Sequence, residues 1–174
     1  MEISLSGTGG QGLILAGIIL AEAAILDGSE AIQTQSYGPE ARGGASKADV
    51  MISDSSIDYP KVLSADILLA MSQEACNKYV GMLKKDGILI VDTTYVKAIP
   101  EIENKVYSLD ITLKAKETFG STVSANIIAL GALVGITGIV TKESLLEAVL
   151  DRVPKGTEAN NQKALEIGWS MTHQ

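Results

Sequence analysis

Six residues near the start of the chain, Gly7-Thr8-Gly9-Gly10-Gln11-Gly12, carry the spacing G-x-G-x-x-G between the short strand pattern Ile3-Ser4-Leu5-Ser6 and an apolar run that begins at Leu13. Strand, glycines, helix is the context in which this spacing acquires meaning: the glycines allow a tight turn and close approach to the backbone. N–H groups exposed at the helix start can then hold a phosphate or another anion. A dinucleotide site also places an acid at the end of the second strand to hold the ribose, and here Thr34-Gln35-Ser36 stands there, which argues against NAD. The same glycines would equally let helix and strand pack closely, and the sequence leaves both readings open.

A second glycine-rich segment, Tyr37-Gly38-Pro39-Glu40-Ala41-Arg42-Gly43-Gly44, cannot hold regular structure and reads as a functional loop. Arg42 could grip a phosphate or carboxylate with two parallel hydrogen bonds, lock a subunit interface, or stand in solvent.

The other chemically capable residues point nowhere. Cys76 is the single cysteine, so the chain closes no internal disulfide and offers no set of thiolates for a cluster or structural zinc. Its place near a helix start would depress its pKa modestly, but no base is nearby in sequence, and a buried bystander is the better reading. His173 is the only histidine and lies in the C-terminal tail. Asp54, Asp58, Asp66 and Asp92 form no metal or hydrolase spacing and read as caps and solvated strand ends. No catalytic residue and no metal ligand is expected.

Composition narrows the partners. A formal net charge of −7 and a pI near 4.7 lack the basic patch that a phosphate backbone requires, so no nucleic-acid partner is expected. The start Met1-Glu2-Ile3 has no basic region of a signal peptide, and a reducing cytoplasm fits the cysteine usage. The uncharged stretch from Gly120 to Thr141 is nominally long enough to cross a bilayer. Ser121, Ser124, Asn126 and three glycines dilute it, and Gly131-x-x-x-Gly135 suits close approach of a helix to a sheet or partner, so it reads as a buried helix.

The elements that must position these groups alternate. Helix is expected over Leu13–Leu26, strand over Glu30–Ser36, strands over Asp49–Ser53 and Asp66–Met71, and a Ser72-capped helix running to about Lys85. Asp86-Gly87 reads as a turn into Ile88–Asp92, a continuous apolar strand of the kind covered on both faces. A weaker strand at Lys105–Leu109 precedes helices over about Ile111–Thr118, Val123–Ile136 and Lys142–Arg152, and a helical tail from Gly156 to Trp169. With 174 residues and no internal repeat, this is one α/β domain, a Rossmann-like three-layer unit with a mostly parallel sheet and a helical C-terminal part.

The two glycine segments in this order, with Gln35 and Ser36 before the second, resemble the gamma subunits of 2-oxoacid:ferredoxin oxidoreductases. The likeness continues through Val50-Met51-Ile52-Ser53-Asp54, Ile57-Asp58-Tyr59-Pro60, Ala65-Asp66, Asn126 with Leu130-Gly131-Ala132, Asn160 and Gly168, so it covers nearly the whole chain. Ser36-Tyr37-Gly38-Pro39-Glu40 with Arg42-Gly43-Gly44 is more similar to the 2-oxoglutarate type than to the pyruvate type.

The resemblance implies a subunit that is inactive alone, in a complex that oxidatively decarboxylates a 2-oxoacid with coenzyme A to an acyl-CoA, carbon dioxide and reduced ferredoxin. Thiamine diphosphate, magnesium and iron–sulfur clusters would lie in the alpha and beta partner subunits, with a ferredoxin-like delta subunit as an optional further chain. Coenzyme A would be a shared ligand, held by Gly7, Gly9, Gly10, Gln11, Gly12, Ser36, Tyr37, Gly38, Arg42, Gly43 and Asn126. In that expectation the N–H groups of Gly9 to Gly12 meet a coenzyme phosphate, while Arg42 and Asn126 line the same crevice. Alternatives left open are the small subunit of an indolepyruvate oxidoreductase, a free-standing coenzyme A or nucleotide module, a pure interaction scaffold, and self-association of isolated copies.

Overall fold

The computed structural model describes residues 1–35 and 44–173. Six strands, β1 (Glu2–Thr8), β2 (Glu30–Gln35), β3 (Ala45–Ser53), β4 (Ala65–Ala70), β5 (Leu83–Asp92) and β6 (Lys105–Leu109), form one sheet in the order β2-β3-β1-β4-β5-β6. β1, β4, β5 and β6 are mutually parallel, while β3 runs antiparallel to both of its neighbours, β1 and β2. The sheet is therefore mixed, with β3 as its one reversed strand.

The helices are α1 (Leu13–Leu26), α2 (Gln73–Tyr79), α3 (Ile111–Phe119), α4 (Ala125–Thr137), α5 (Lys142–Arg152) and α6 (Glu158–Ser170). Alternation along the strands sends Ile3, Leu5, Ile67, Leu69 and Ile90 to one face, where they meet α1 and the four C-terminal helices. Leu68, Ala70, Leu89 and Val91 point to the other face, which α2 covers with Ala75, Cys76 and Tyr79. Among the described residues the layers are thus unequal, five helices against one.

The uncharged stretch folds as α4, buried on nearly every side. No helix among the described residues is long and apolar enough to cross a membrane. Glycine makes the packing of α4 against α6 unusually close. A Cβ on Gly131 would lie 2.6 Å from the Leu165 carbonyl oxygen, and one on Gly168 would lie 2.6 Å from the Ala132 nitrogen.

Three expected boundaries differ by more than two residues, the first being β3, which begins at Ala45 and not at Asp49. The helix after Ser72 stops at Tyr79 rather than near Lys85, because a single tight turn at Val80–Met82 delivers Leu83 straight into β5. Asp86-Gly87 lies inside β5 and not in a separate turn. Between the pairs Ala65–Leu83 and Ile67–Ile88 the register shifts, so β5 carries extra residues there. Asn104 Nδ2 spans that irregularity, reaching the carbonyl oxygens of Lys84 at 2.7 Å, Lys85 at 3.1 Å and Gly87 at 3.0 Å.

Polar contacts tie the edges of the fold. Asp27, which ends α1, accepts from the Thr141 N–H at 2.6 Å, the Thr141 hydroxyl at 2.7 Å and the Ser144 hydroxyl at 2.6 Å, joining α1 to the start of α5. Arg152 at the end of α5 pairs with Glu22 of α1. Asp66 accepts from the Glu2 N–H at 2.7 Å and from Lys84 at 2.9 Å. Partial burial alone would raise the Asp66 carboxyl. The Lys84 hydrogen bond, the Glu2 N–H and the nearby positive charges outweigh it and hold the group below its usual value.

Candidate functional site

Gly10 and Gly12 have φ of 89° and 72°, a left-handed conformation that glycine adopts without strain, and together they turn the chain from β1 into α1. Gly7 lies buried beneath the turn, where a Cβ would collide with the Gln11 side chain and come within 2.9 Å of Leu13 Cδ1. Gln11 is the staple of this loop. Its Oε1 accepts from the Thr8 N–H at 2.8 Å and its Nε2 donates to the Met71 carbonyl at 2.9 Å, tying the loop to the end of β4.

The loop opens onto a crevice of about 550 Å³. Gly10, Gln11 and Gly12 form one wall, Ser121–Ile127 at the start of α4 another, and Val153, Pro154, Thr157, Asn160 and Asn161 at the start of α6 a third. Thr112 and Tyr95 close the remaining side. Among the described residues, none that lines the crevice is charged.

Asn126 joins two walls, donating from Nδ2 to the Gly12 carbonyl at 3.1 Å while its Oδ1 accepts from the Ile127 N–H at 3.0 Å. Within the structure it is a brace between α4 and the glycine loop, and its side-chain amide is committed.

The helix starts at the crevice differ from those elsewhere. Gly12, Ser124 and Thr157, which precede α1, α4 and α6, supply no side-chain cap to their helices. Ser72 and Thr141, which precede α2 and α5 away from the crevice, each accept from the N–H three residues on, at 3.2 Å. Uncapped helix starts leave N–H groups to find other partners, and at α4 two are already taken, Ala125 N–H by the Thr122 carbonyl and Ile127 N–H by the Ser124 carbonyl and Asn126 Oδ1.

Deeper in the wall lies a fully buried acid. Asp92, at the end of β5, accepts from the Thr94 N–H at 3.0 Å, from the Thr112 N–H at 3.2 Å and from the Thr112 hydroxyl. It is therefore not a solvated strand end. It fixes the first turn of α3 against the sheet.

Of the expected site residues, the structure gathers Gly10, Gln11, Gly12 and Asn126 at one crevice, with Gly9 exposed beside it. Ser36, Tyr37, Gly38, Arg42 and Gly43 lie outside the described residues. Thr112, Thr157 and Asn161 were not singled out from sequence, and only their positions near helix starts could have suggested them. Cys76 is fully buried and burial pushes its thiol up, so the expected modest depression is not found. No three His, Cys, Asp or Glu side chains gather into a metal cluster among the described residues.

A family model described as "Pyruvate ferredoxin/flavodoxin oxidoreductase" matches residues 2–171. The 2-oxoglutarate synthase subunit KorC of Methanocaldococcus jannaschii is 51% identical over 99% of this chain and 94% of its own length. The pyruvate synthase subunit PorC of the same organism is 35% identical over 98% of this chain and 96% of its own length. Among solved structures, the keto/oxoacid ferredoxin oxidoreductase gamma subunit of Geobacter sulfurreducens superposes with a TM-score of 0.90 at 49% identity, covering 98% of this chain and 97% of that one.

Proposed function

The chain belongs to the pyruvate ferredoxin/flavodoxin oxidoreductase family, and we propose that it is the gamma subunit of a 2-oxoglutarate:ferredoxin oxidoreductase that supplies part of the coenzyme A site. Membership as a subunit of a 2-oxoacid:ferredoxin oxidoreductase rests on likeness along the full length to subunits of similar size. The lean toward 2-oxoglutarate rests on one contrast within a single organism: identity is 51% to the 2-oxoglutarate synthase subunit and 35% to the pyruvate synthase subunit.

The observation that supports a coenzyme site is the crevice itself, walled by the glycine turn and by uncapped helix starts. Gly10 to Gly12 lie at one end of it, with Gly9 exposed beside them, where a phosphate of the coenzyme would meet backbone N–H groups, with Arg42 as the cation that pairs with it. Gly7, Gln11 and Asn126 act indirectly, by holding that turn in shape. Ser36, Tyr37, Gly38 and Gly43 belong to the loop that carries Arg42.

Thiamine diphosphate with magnesium and iron–sulfur clusters, held by the alpha and beta chains and an optional delta chain, supply decarboxylation and electron transfer to ferredoxin. This chain's lone buried cysteine and scattered acids offer those groups no ligand set. The chain on its own turns nothing over, and the assembled enzyme works in the cytoplasm.

The test is co-purification of the tagged chain from its own cells, with thiamine and iron analysis and a dye-reduction assay that depends on 2-oxoglutarate and coenzyme A. Larger partners carrying those cofactors and that activity are expected. A lone, cofactor-free chain that binds coenzyme A would overturn the subunit reading and favour a free-standing module. In the complex, Arg42→Ala should raise the KM for coenzyme A. If the kinetics hold and the complex dissociates on gel filtration, Arg42 is an interface residue.

A further inference from the structure

Helix α1 is apolar on every side: of its 14 residues, Glu22 alone carries a charge. A helix of that kind is normally buried on every side. α4, which has no charged residue, meets the condition inside the fold, and α1 does not. Its inner residues Ala16, Ile19, Leu20 and Ala23 are buried, whereas Ile14 is 47% exposed, Leu15 36%, Ile25 56% and Leu26 47%, with Ile18 half-buried between them. With 3.6 residues per turn, these five aliphatic side chains fall within about one third of the helix circumference and extend for about 16 Å along it. Glu22 shares that face, and its charge is matched by Arg152. Scattered exposed aliphatics are ordinary, but a contiguous stripe of them marks a surface that something covers.

The border of the stripe carries charge of one sign. α5 lies beside α1, tied to it through Asp27 and Arg152, and its outer row holds Glu143, Glu147 and Asp151 at spacing i, i+4, i+8, all exposed. Glu30, exposed at the start of β2, stands just past the other end of α1. A second copy of this chain would match the stripe but bring an acid row and a formal net charge of −7 of its own, so that like charge meets like. A larger partner chain is under no such restriction. Chain length supports that occupant: the ketoisovalerate oxidoreductase subunit VorA of Methanothermobacter marburgensis is 32% identical over 86% of this chain, yet the match takes up 31% of VorA's own length. A unit of this kind thus also exists joined to further chain that it can lie against.

We propose that the outer face of α1, flanked by the acid row of α5, docks the larger chain of the complex, which meets it with an apolar surface bordered by lysine or arginine. This rests on the subunit reading above and extends it by naming the face that the partner covers.

The test uses the full chain and the purified remainder of its complex, with Kd read by titration and the isolated chain followed by sedimentation. Ile14→Gln with Ile25→Gln keeps helix propensity and alters exposed positions only, so the Tm of the isolated chain should stay within about 2 °C of the parent. Its Kd for the larger chains should rise about thirtyfold, because two aliphatic side chains lose their cover. Glu147→Lys with Asp151→Lys should raise Kd about tenfold at low ionic strength, and the difference should shrink as salt is added.

If both pairs of substitutions bind as the parent does, the α1 face is not the docking surface and the proposal falls, while the parent's own binding keeps the subunit reading intact. If the parent does not bind the larger chains, the subunit reading fails and takes the proposal with it. A loss confined to the aliphatic pair would overturn the basic border. An isolated parent that sediments as a dimer, dissociated by the aliphatic pair with no change in binding to the larger chains, would assign the face to a second copy and overturn the proposal.

Discussion

Helices α4 and α6 run side by side and do two different things along their length. Around Gly131 and Gly168 their backbones approach so closely that neither position has room for a methyl group. At their N-terminal ends, around Asn126 and Asn161, the same two helices line an open crevice. The contact region is built by deleting side chains, and the crevice is built by retaining polar ones whose hydrogen-bonding groups are partly spent on neighbours. One helix pair thus supplies both a close-packed base and a wall of the crevice, and the closeness of the first fixes the width of the second.

The strongest way to break that comparison is to fill the contact. Gly168→Ala places a methyl group 2.6 Å from the Ala132 nitrogen and against the Ile128 carbonyl, where only backbone can yield. Overpacking of this kind costs about 3 kcal/mol, a fall in Tm of about 10 °C for a domain of this size, read by thermal melting. A fall of under about 2 °C would mean that the helices slide apart freely, and the crevice width would then not depend on the contact.

A smaller effect is expected at the crevice end. Asn126→Ala removes the brace to the Gly12 carbonyl and should cost about 1–2 kcal/mol while raising the KM for coenzyme A, because the glycine turn loses its support. Gln11→Ala cuts the ties to Thr8 and Met71 and should cost about 1 kcal/mol, with the same direction in KM. A stability loss with no kinetic change in either variant would separate bracing from binding.

The smallest effect is a control remote from both regions. Asp66 has its folded pKa held below the ordinary carboxylate value, so the stability it contributes is present above the unfolded pKa near 3.8 and is lost as pH falls through the lower folded value. Melting at pH 7 and at pH 3 should therefore show a smaller acid-induced drop for Asp66→Asn than for the parent. Asp27 is shifted in the same direction. Burial would raise it, and the bonds from Ser144 and Thr141 prevail, so Asp27→Asn should flatten the same acid limb.

Much of this architecture was legible in the chain. The glycine turn between β1 and α1 announced itself because positive φ demands glycine. The strand at Lys105–Leu109 and the helix at Lys142–Arg152 have the expected bounds, the helix because Thr141 is a true cap. The reversed strand β3 was not legible, since its apolar pattern carries no direction and only pairing with β1 and β2 reveals it. The end of α2 was misjudged because Lys84 and Lys85 continue a helical composition, while tertiary pairing with Ala65 pulls Leu83 into the sheet.

The crevice was only half visible, and for a physical reason. Its glycine wall has a recognisable spacing, but Thr112, Thr157 and Asn161 are ordinary helix-start residues drawn from distant parts of the chain. Asn160 entered through resemblance alone. Uncharged residues whose hydroxyls and amides are spent on neighbours leave no signature until the fold brings them together.

The long-range ties of α1 bear on the order in which the molecule can be made. Gly12 is held by Asn126 and Asp27 by Thr141, each 114 residues later, and Glu22 is held by Arg152, 130 residues later. On a ribosome the first βα unit therefore emerges with both ends of its helix unfastened and waits for most of the chain before it is locked. Its apolar surface needs shelter throughout that interval, and a polypeptide interrupted before α4 would leave synthesis with its glycine turn unsupported.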